Sequence, residues 1–269
     1  MAATHSRATW WGKYPPPGRP CQVEAAGPVG GFSIKIGSKR GSLVPFLQEE
    51  PFLTDIHAGG SSHELEVSLR VLRPPLLLAL FEDARMFRYH RGEPLPPNDK
   101  AGKWLNLIRL LFEADDFAAV ALYRARTALM RRGLRGVPRL FHFVSMALFQ
   151  VRIGDFVVLG EGAYIPHGNV VIDGITVIGR RCVLAPWTTL GVVQGSPIGP
   201  KLEDGVFVGT GAKVLGRIVI GANARIGANS VVVSDVPAGA TAIGVPAKVT
   251  NADGEQQSSV VWPEDAAKV

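Results

Sequence analysis

Cysteine is scarce in this chain of 269 residues: there are two, Cys21 and Cys182, far apart in sequence. Such a pair excludes a disulfide framework and reads as buried or incidental thiols of a reducing compartment. Aromatic residues make up 8% and charged residues 19%, against 46% hydrophobic. That balance excludes a disordered chain and predicts a packed core. No apolar run reaches the roughly 18 residues that a membrane-spanning helix needs, so no membrane span is expected. The start, MAATHSRATWWGKYPPPGRP, lacks an apolar core followed by a cleavage site. No signal peptide is read there, and a cytoplasmic location is the expectation. Acidic residues are outnumbered, 23 to 29, giving a net charge of +6. The basic residues are scattered, with one cluster from Arg124 to Arg135 on an expected helix and no nucleic-acid motif beside it. A nucleic-acid partner is therefore not expected, whereas a basic surface suits a small molecule that carries phosphates.

What the chain does have is a period of six. From Val151 it divides into VRIGDF, VVLGEG, AYIPHG, NVVIDG, ITVIGR, RCVLAP and WTTLGV, and later into VFVGTG, AKVLGR, IVIGAN, ARIGAN, SVVVSD and VPAGAT. The third place holds Ile153, Leu159, Ile165, Val171, Val177, Val183 and Thr189, then Val208, Val214, Ile220, Ile226, Val232 and Ala238. Neither a helix of 3.6 residues per turn nor a simple strand of period 2 produces this. It is the mark of a parallel β-helix, in which each short strand buries one inward residue and then turns a corner. Gly, Asn and Asp crowd the corners, where positive φ must be tolerated. Thr189 and Val208 are 19 residues apart, not a multiple of six, so a loop over roughly Val192 to Asp204 is expected to leave the coil.

The remainder reads as helical or irregular. Residues 1–60 are rich in Pro and Gly and read as an irregular segment, with a short hairpin around Phe32 to Ile36. Ser61 stands three residues before Glu64, the spacing of a capping box. Helices are expected over Leu76–His90, Trp104–Phe112, Phe117–Arg132 (with Asp115 or Asp116 as cap) and from Val137-Pro138 to about Phe149. The expected division is an irregular segment at 1–60, an α-helical domain at 61–150, a β-helix at 151–249 and a flexible tail at 250–269. The fold class is α+β.

His167, in YIPHGN, is the one histidine inside the repeat, and it stands at a corner and not at an inward place. Its bland reading is a hydrogen-bonded surface histidine; its functional reading is a general base, a role to which imidazole is suited. A zinc site built on clustered histidines fails on counting, so no metal is expected.

From about Phe117 to Val249 the chain resembles the serine O-acetyltransferases of the left-handed β-helix (hexapeptide-repeat) acyltransferase superfamily. The resemblance is carried by DFAAVALYRARTAL, FQVRIG, His167, TTLG at 188–191 and the run from PKLEDGVFVGTGAKVLG to IGVPAKV. It implies an α-helical N-terminal region followed by a left-handed parallel β-helix of about five coils. It further implies an acetyl-CoA-dependent O-acetyltransferase of the cysteine-biosynthesis type, with acetyl-CoA as acyl-donor co-substrate. His167 matches the catalytic histidine, the general base for attack of an acceptor hydroxyl on the thioester. Gly191, Thr210, Gly211, Ala212 and Ala228 match the lining of the pantetheine groove, and Arg225 and Lys248 match basic positions near the coenzyme phosphates. A homotrimer is the family arrangement, and the serine enzymes often pair two trimers.

Several matching positions depart from the family. Pro166 stands where an Asp precedes the catalytic His, and Arg152 where an Asp orients the imidazole. Pro197-Ile198-Gly199-Pro200 replaces an Arg-His pair, and Glu93-Pro94 stands near an Asp-Pro step. Glu161 and Asp173 are candidate substitutes for the missing carboxylates, and Arg152 and Glu93 are candidate acceptor contacts. The acceptor is thus serine or, alternatively, a sugar, nucleotide-sugar or natural-product hydroxyl or amine. A non-catalytic trimeric scaffold is the reading from a different class.

Overall fold

The computed structural model describes Leu69, residues 71–97, 99–134 and 136–251. The hairpin at Phe32–Ile36, the capping box at Ser61, Cys21 and most of the tail lie outside the described residues. Among the described residues four whole helices precede the strands: α1 (Leu76–His90), α2 (Lys100–Glu113), α3 (Asp115–Arg131) and α4 (Gly136–Phe149). Helix α1 matches its expected bounds. Helix α2 starts a turn earlier than expected, because Asp99 caps it by accepting a hydrogen bond from the Gly102 N–H. At α3 the cap position is Ala114, with no side-chain cap, and Asp116 lies inside the first turn, where its carboxylate accepts from the Phe117 N–H. Gly133, at φ +79°, ends α3, whereas Gly136 opens α4.

Among the described residues fourteen strands follow, β1 (Val151–Ile153), β2 (Val158–Leu159), β3 (Val170–Ile172), β4 (Ile175–Ile178), β5 (Val183–Leu184), β6 (Thr189–Gly191), β7 (Ile198–Leu202), β8 (Phe207–Val208), β9 (Lys213–Leu215), β10 (Val219–Ile220), β11 (Arg225–Ile226), β12 (Val231–Val232), β13 (Thr241–Gly244) and β14 (Ala247–Asn251). They form three sheets: β1-β3-β6-β9-β12, β2-β4-β7-β10 and β5-β8-β11-β13-β14. Every pairing is parallel except β13 with β14, which folds back at the end of the third sheet. The architecture is a three-sided left-handed parallel β-helix preceded by helices.

The register corrects the hexad frame. Val171 pairs with Thr189, 18 residues on, as three hexads require, but Val151 pairs with Val170, 19 residues on. One extra residue therefore enters the corner His167-Gly168-Asn169, and the inward positions after it move by one. Ile172, Ile178, Leu184 and Leu190 point into the core, all 1% exposed or less. Val171, which the frame placed inward, is 37% exposed, and Thr189 and Val177 are half-buried. From Leu190 the next inward residues are Leu202 and Val208, so the hexad at Ser196 is the one extruded. The loop is Val192–Pro197; Ile198–Leu202, expected within it, is strand β7. At the other end Ile226 pairs with Ala242, 16 residues on. The last turn is two residues short, so Ala238 is exposed and Val236, Ala240 and Ala242 fill the core.

An open coil end exposes unpaired backbone carbonyls. Helix α3 covers them with its Tyr123-Arg124-Ala125-Arg126 stretch. The Tyr123 hydroxyl donates to the Val157 carbonyl at 2.8 Å. Arg124 donates to Leu159 and, at 2.6 Å, to Gly160, and Arg126 donates to Ile153 at 2.7 Å. Both guanidinium groups are buried. Arg124 is also clamped by Asp83 of α1 at 2.9 and 3.1 Å, and Asp83 accepts the Ala163 N–H at 3.0 Å. Burial pushes the Asp83 carboxyl above the usual carboxylate range, while Arg124 and the Ala163 N–H pull it back. Apolar packing continues the same junction: Phe87 meets Phe117 and Tyr164 edge-on at 5.2 and 4.8 Å. Helices and coil share one hydrophobic cluster. Among the described residues no helix is long and apolar enough to cross a membrane.

Candidate active site on one corner of the coil

The corner between the third and first sheets repeats one conformation down the coil. Gln150, Asn169, Trp187, Gly211 and Asn229 occupy it in register, all with φ between +54° and +75°. His167 belongs to this corner, two residues before Asn169. With φ +60° it is followed by Gly168 at +67° and Asn169 at +55°, so three successive residues are left-handed. This is where the extra residue enters the coil. Gly168 is required twice: its φ is positive, and a Cβ there would lie 2.1 Å from the Phe149 carbonyl oxygen. The corner is thereby pressed onto the end of α4, and His167 is presented at the surface, exposed. A non-glycine residue held at positive φ costs free energy, and such residues concentrate where a side chain must be aimed.

Most of the predicted coenzyme positions fall on the same corner. Thr210, Gly211 and Ala212 form it in the coil of β8 and β9, and Ala228 in the coil of β11 and β12. At Gly211 a Cβ would meet the Asn229 side chain at 2.0 Å, so adjacent corners are packed tightly. Arg225 starts β11, the strand that leads into this corner, and its guanidinium lies over the Phe207 ring at 4.9 Å. Lys248 is exposed on β14 of the same sheet, where it pairs with Ile243. Gly191 is apart from this group. It ends β6 at the opposite edge of the first sheet, where the loop 192–197 leaves. That loop folds down on Gly174, where a Cβ would meet Val192 at 2.2 Å.

The candidate carboxylates are dispersed. Glu161 adjoins Gly162 at the corner between the second and third sheets, and Asp173 adjoins Gly174 at the corner between the first and second. The Asp173 carboxylate accepts the Gly174 N–H at 2.8 Å. Neither shares the corner of His167, and among the described residues that corner carries no acidic side chain. Arg152 is exposed on β1, beside Val171 of the next coil. Glu93 is held at the end of α1 by Arg88 at 2.6 Å and Arg91 at 2.8 Å. Among the described residues no three His, Cys, Asp or Glu side chains cluster as metal ligands. Cys182 is buried, and burial pushes its thiol up to about 12, which removes it from nucleophilic chemistry.

Two features near the site have no clear sequence signal. His90 of α1 stacks on Tyr164 at 4.5 Å, three residues before His167, with its Nε2 buried and unpartnered; burial holds its pKa below 6.5. Trp187 stands on the site corner, 60% exposed. The first is a contact between helix and coil that no local motif encodes. The second becomes visible only once the coil register is known.

Comparison with known proteins points to one family. The family model of the bacterial transferase hexapeptide (six repeats) matches residues 199–234. The serine acetyltransferase of Synechococcus elongatus is 39% identical over 152 residues, 55% of this chain and 62% of that protein. The serine acetyltransferase of Helicobacter pylori strain J99 is 39% identical over 139 residues, 50% of this chain and 81% of that protein. The crystal structure of Neisseria gonorrhoeae serine acetyltransferase in complex with serine is 28% identical with a TM-score of 0.54, covering 74% of this chain and 90% of that one. The chain thus spans less than two thirds of the length of its Synechococcus relative and most of its Helicobacter relative. With its hexad coil, capping helices and 39% identity across a match that covers 81% of the Helicobacter protein, the chain belongs to the serine acetyltransferase family.

Proposed function

We propose that this protein is an acetyl-CoA-dependent O-acetyltransferase of the serine acetyltransferase type, with His167 as general base. The observation that carries the reading is the single corner that holds His167 and, two and three coils further on, Thr210, Gly211, Ala212 and Ala228. Coils repeat about every 4.8 Å. A pantetheine arm running along this corner from Ala228 reaches the coil of His167, with Arg225 and Lys248 near its phosphate end. The neutral imidazole takes the proton of an acceptor hydroxyl as that oxygen attacks the thioester carbonyl. The tetrahedral intermediate collapses with loss of the coenzyme thiolate, which recovers the proton from His167, leaving an O-acetyl ester and CoA. A backbone N–H of the loop after Gly191 is the candidate oxyanion donor. The site is completed in a homotrimer, and the protein works in the cytoplasm.

L-serine is the first acceptor. The Neisseria relative, crystallised with serine, supports that choice. The loop 192–197, VVQGSP, is uncharged, and this favours a second reading in which the acceptor is another hydroxyl or amine. The test is release of CoA thiol from acetyl-CoA, with and without L-serine, for wild type and His167→Asn. Serine-dependent release that falls at least a hundredfold in the variant supports the proposal. Release with other hydroxyl acceptors, again lost in the variant, moves the acceptor and keeps the chemistry. Release with no acceptor tried, or release indifferent to the variant, overturns it.

A further inference from the structure

The left-handed corner position is held by Asn169, Trp187, Gly211 and Asn229 in successive coils. Gly and Asn adopt that conformation readily; tryptophan does so at a cost. The strain at Trp187 is firmly held. Gly211 donates to the Pro186 carbonyl at 2.9 Å, the Thr188 hydroxyl donates to the Ala185 carbonyl at 2.6 Å, and Lys213 Nζ donates to the Trp187 carbonyl at 2.6 Å. The indole recovers little by burial, since it is 60% exposed. Folding of the chain therefore gains little from a tryptophan here, and strained outliers of this kind point to function.

Its place in the column says which function. Trp187 lies one coil below the corner of His167 and one coil above Thr210, Gly211 and Ala212. A thioester brought up that small-residue track meets the indole immediately before it meets the imidazole. We propose that Trp187 is the wall that limits the acyl group, admitting acetyl and rejecting longer chains. This rests on the proposed acyl-CoA chemistry of the same corner and adds its donor specificity.

Trp187→Gly and Trp187→Asn test it, because Gly and Asn fill the same corner position in neighbouring coils without strain. Dissociation constants of acetyl-CoA and butyryl-CoA are measured by calorimetry on the full chain, with thermal midpoint and sedimentation as controls. The wild type is expected to bind acetyl-CoA at least tenfold more tightly than butyryl-CoA. Both variants are expected to bring that ratio within threefold of one, with an unchanged assembly and an equal or higher midpoint. An unchanged ratio in folded variants overturns the wall while leaving the acetyltransferase reading intact. A variant that dissociates the assembly shows Trp187 to be a subunit contact and also overturns it. If neither thioester binds the wild type, the functional reading itself falls.

Discussion

Asp83→Asn isolates the charge that joins the helices to the coil. Asp83 and Arg124 are both buried, with side chains 0% and 4% exposed. Asparagine keeps the size of the side chain and an acceptor for the Ala163 N–H, so packing is preserved. What is lost is the countercharge of a guanidinium that water does not reach. Breaking a buried pair in this way costs about 3–5 kcal/mol. Arg124 keeps its bonds to the Leu159 and Gly160 carbonyls, so the lower end, about 3 kcal/mol, is expected. Asp83→Ala also strips the Ala163 N–H of its acceptor, which adds about 1–3 kcal/mol. Asp83→Leu with Arg124→Met removes both charges but leaves the two coil carbonyls and the Ala163 N–H unpaired, so it is expected to recover only part of the loss. The assay is urea unfolding at fixed protein concentration, read as the change in midpoint at constant slope. Burial raises the Asp83 pKa, so a carboxyl that is neutral in the folded protein is the competing account. Asparagine would then replace it almost without cost. A loss below about 1 kcal/mol for Asp83→Asn refutes the ion pair as the clamp.

Two further outcomes follow from the same geometry. Gly168→Ala places a Cβ against the Phe149 carbonyl at positive φ, combining about 1–2 kcal/mol of backbone strain with about 1–3 kcal/mol of overpacking. Urea midpoints should fall accordingly and turnover should drop further, as the His167 corner shifts; unaltered stability contradicts the close approach. His90 and His142 both have pKa values held below 6.5, by burial in each case and for His142 also by Arg126. The unfolded chain thus takes up their protons first as the pH falls through 6.5, and stability declines from there downward. His90→Gln with His142→Gln should flatten that decline, and an unchanged pH profile of the thermal midpoint would count against half-buried neutral imidazoles.

Why the coil was legible and its register was not comes down to particular residues. A recurring aliphatic every six positions survives any small error of phase. Val170-Val171-Ile172, Val177-Ile178 and Val183-Leu184 place aliphatic residues side by side, so either neighbour serves as the inward one. Only the pairing of Val151 with Val170 reveals the added residue at His167. The same ambiguity made the loop look longer than six residues. Helix α1 was legible because Pro74-Pro75 and Gly92 bound it. The capping role of Arg124 and Arg126 was not, because a basic cluster on a helix has the same sequence whether it faces solvent or a ring of carbonyls. The corner placement of His167 was legible from the repeat, whereas the separation of Glu161 and Asp173 onto other corners depends on the register.

The most direct test of the corner as the acyl-transfer track is calorimetric titration of CoA into wild type, His167→Asn and Ala228→Trp. Ala228 is exposed on the corner, so a large side chain there obstructs the track without entering the core. Saturable binding of one CoA per chain is predicted for wild type and His167→Asn, with affinity reduced at least tenfold in Ala228→Trp. Equal affinity in wild type and Ala228→Trp, or no binding to wild type, contradicts the account.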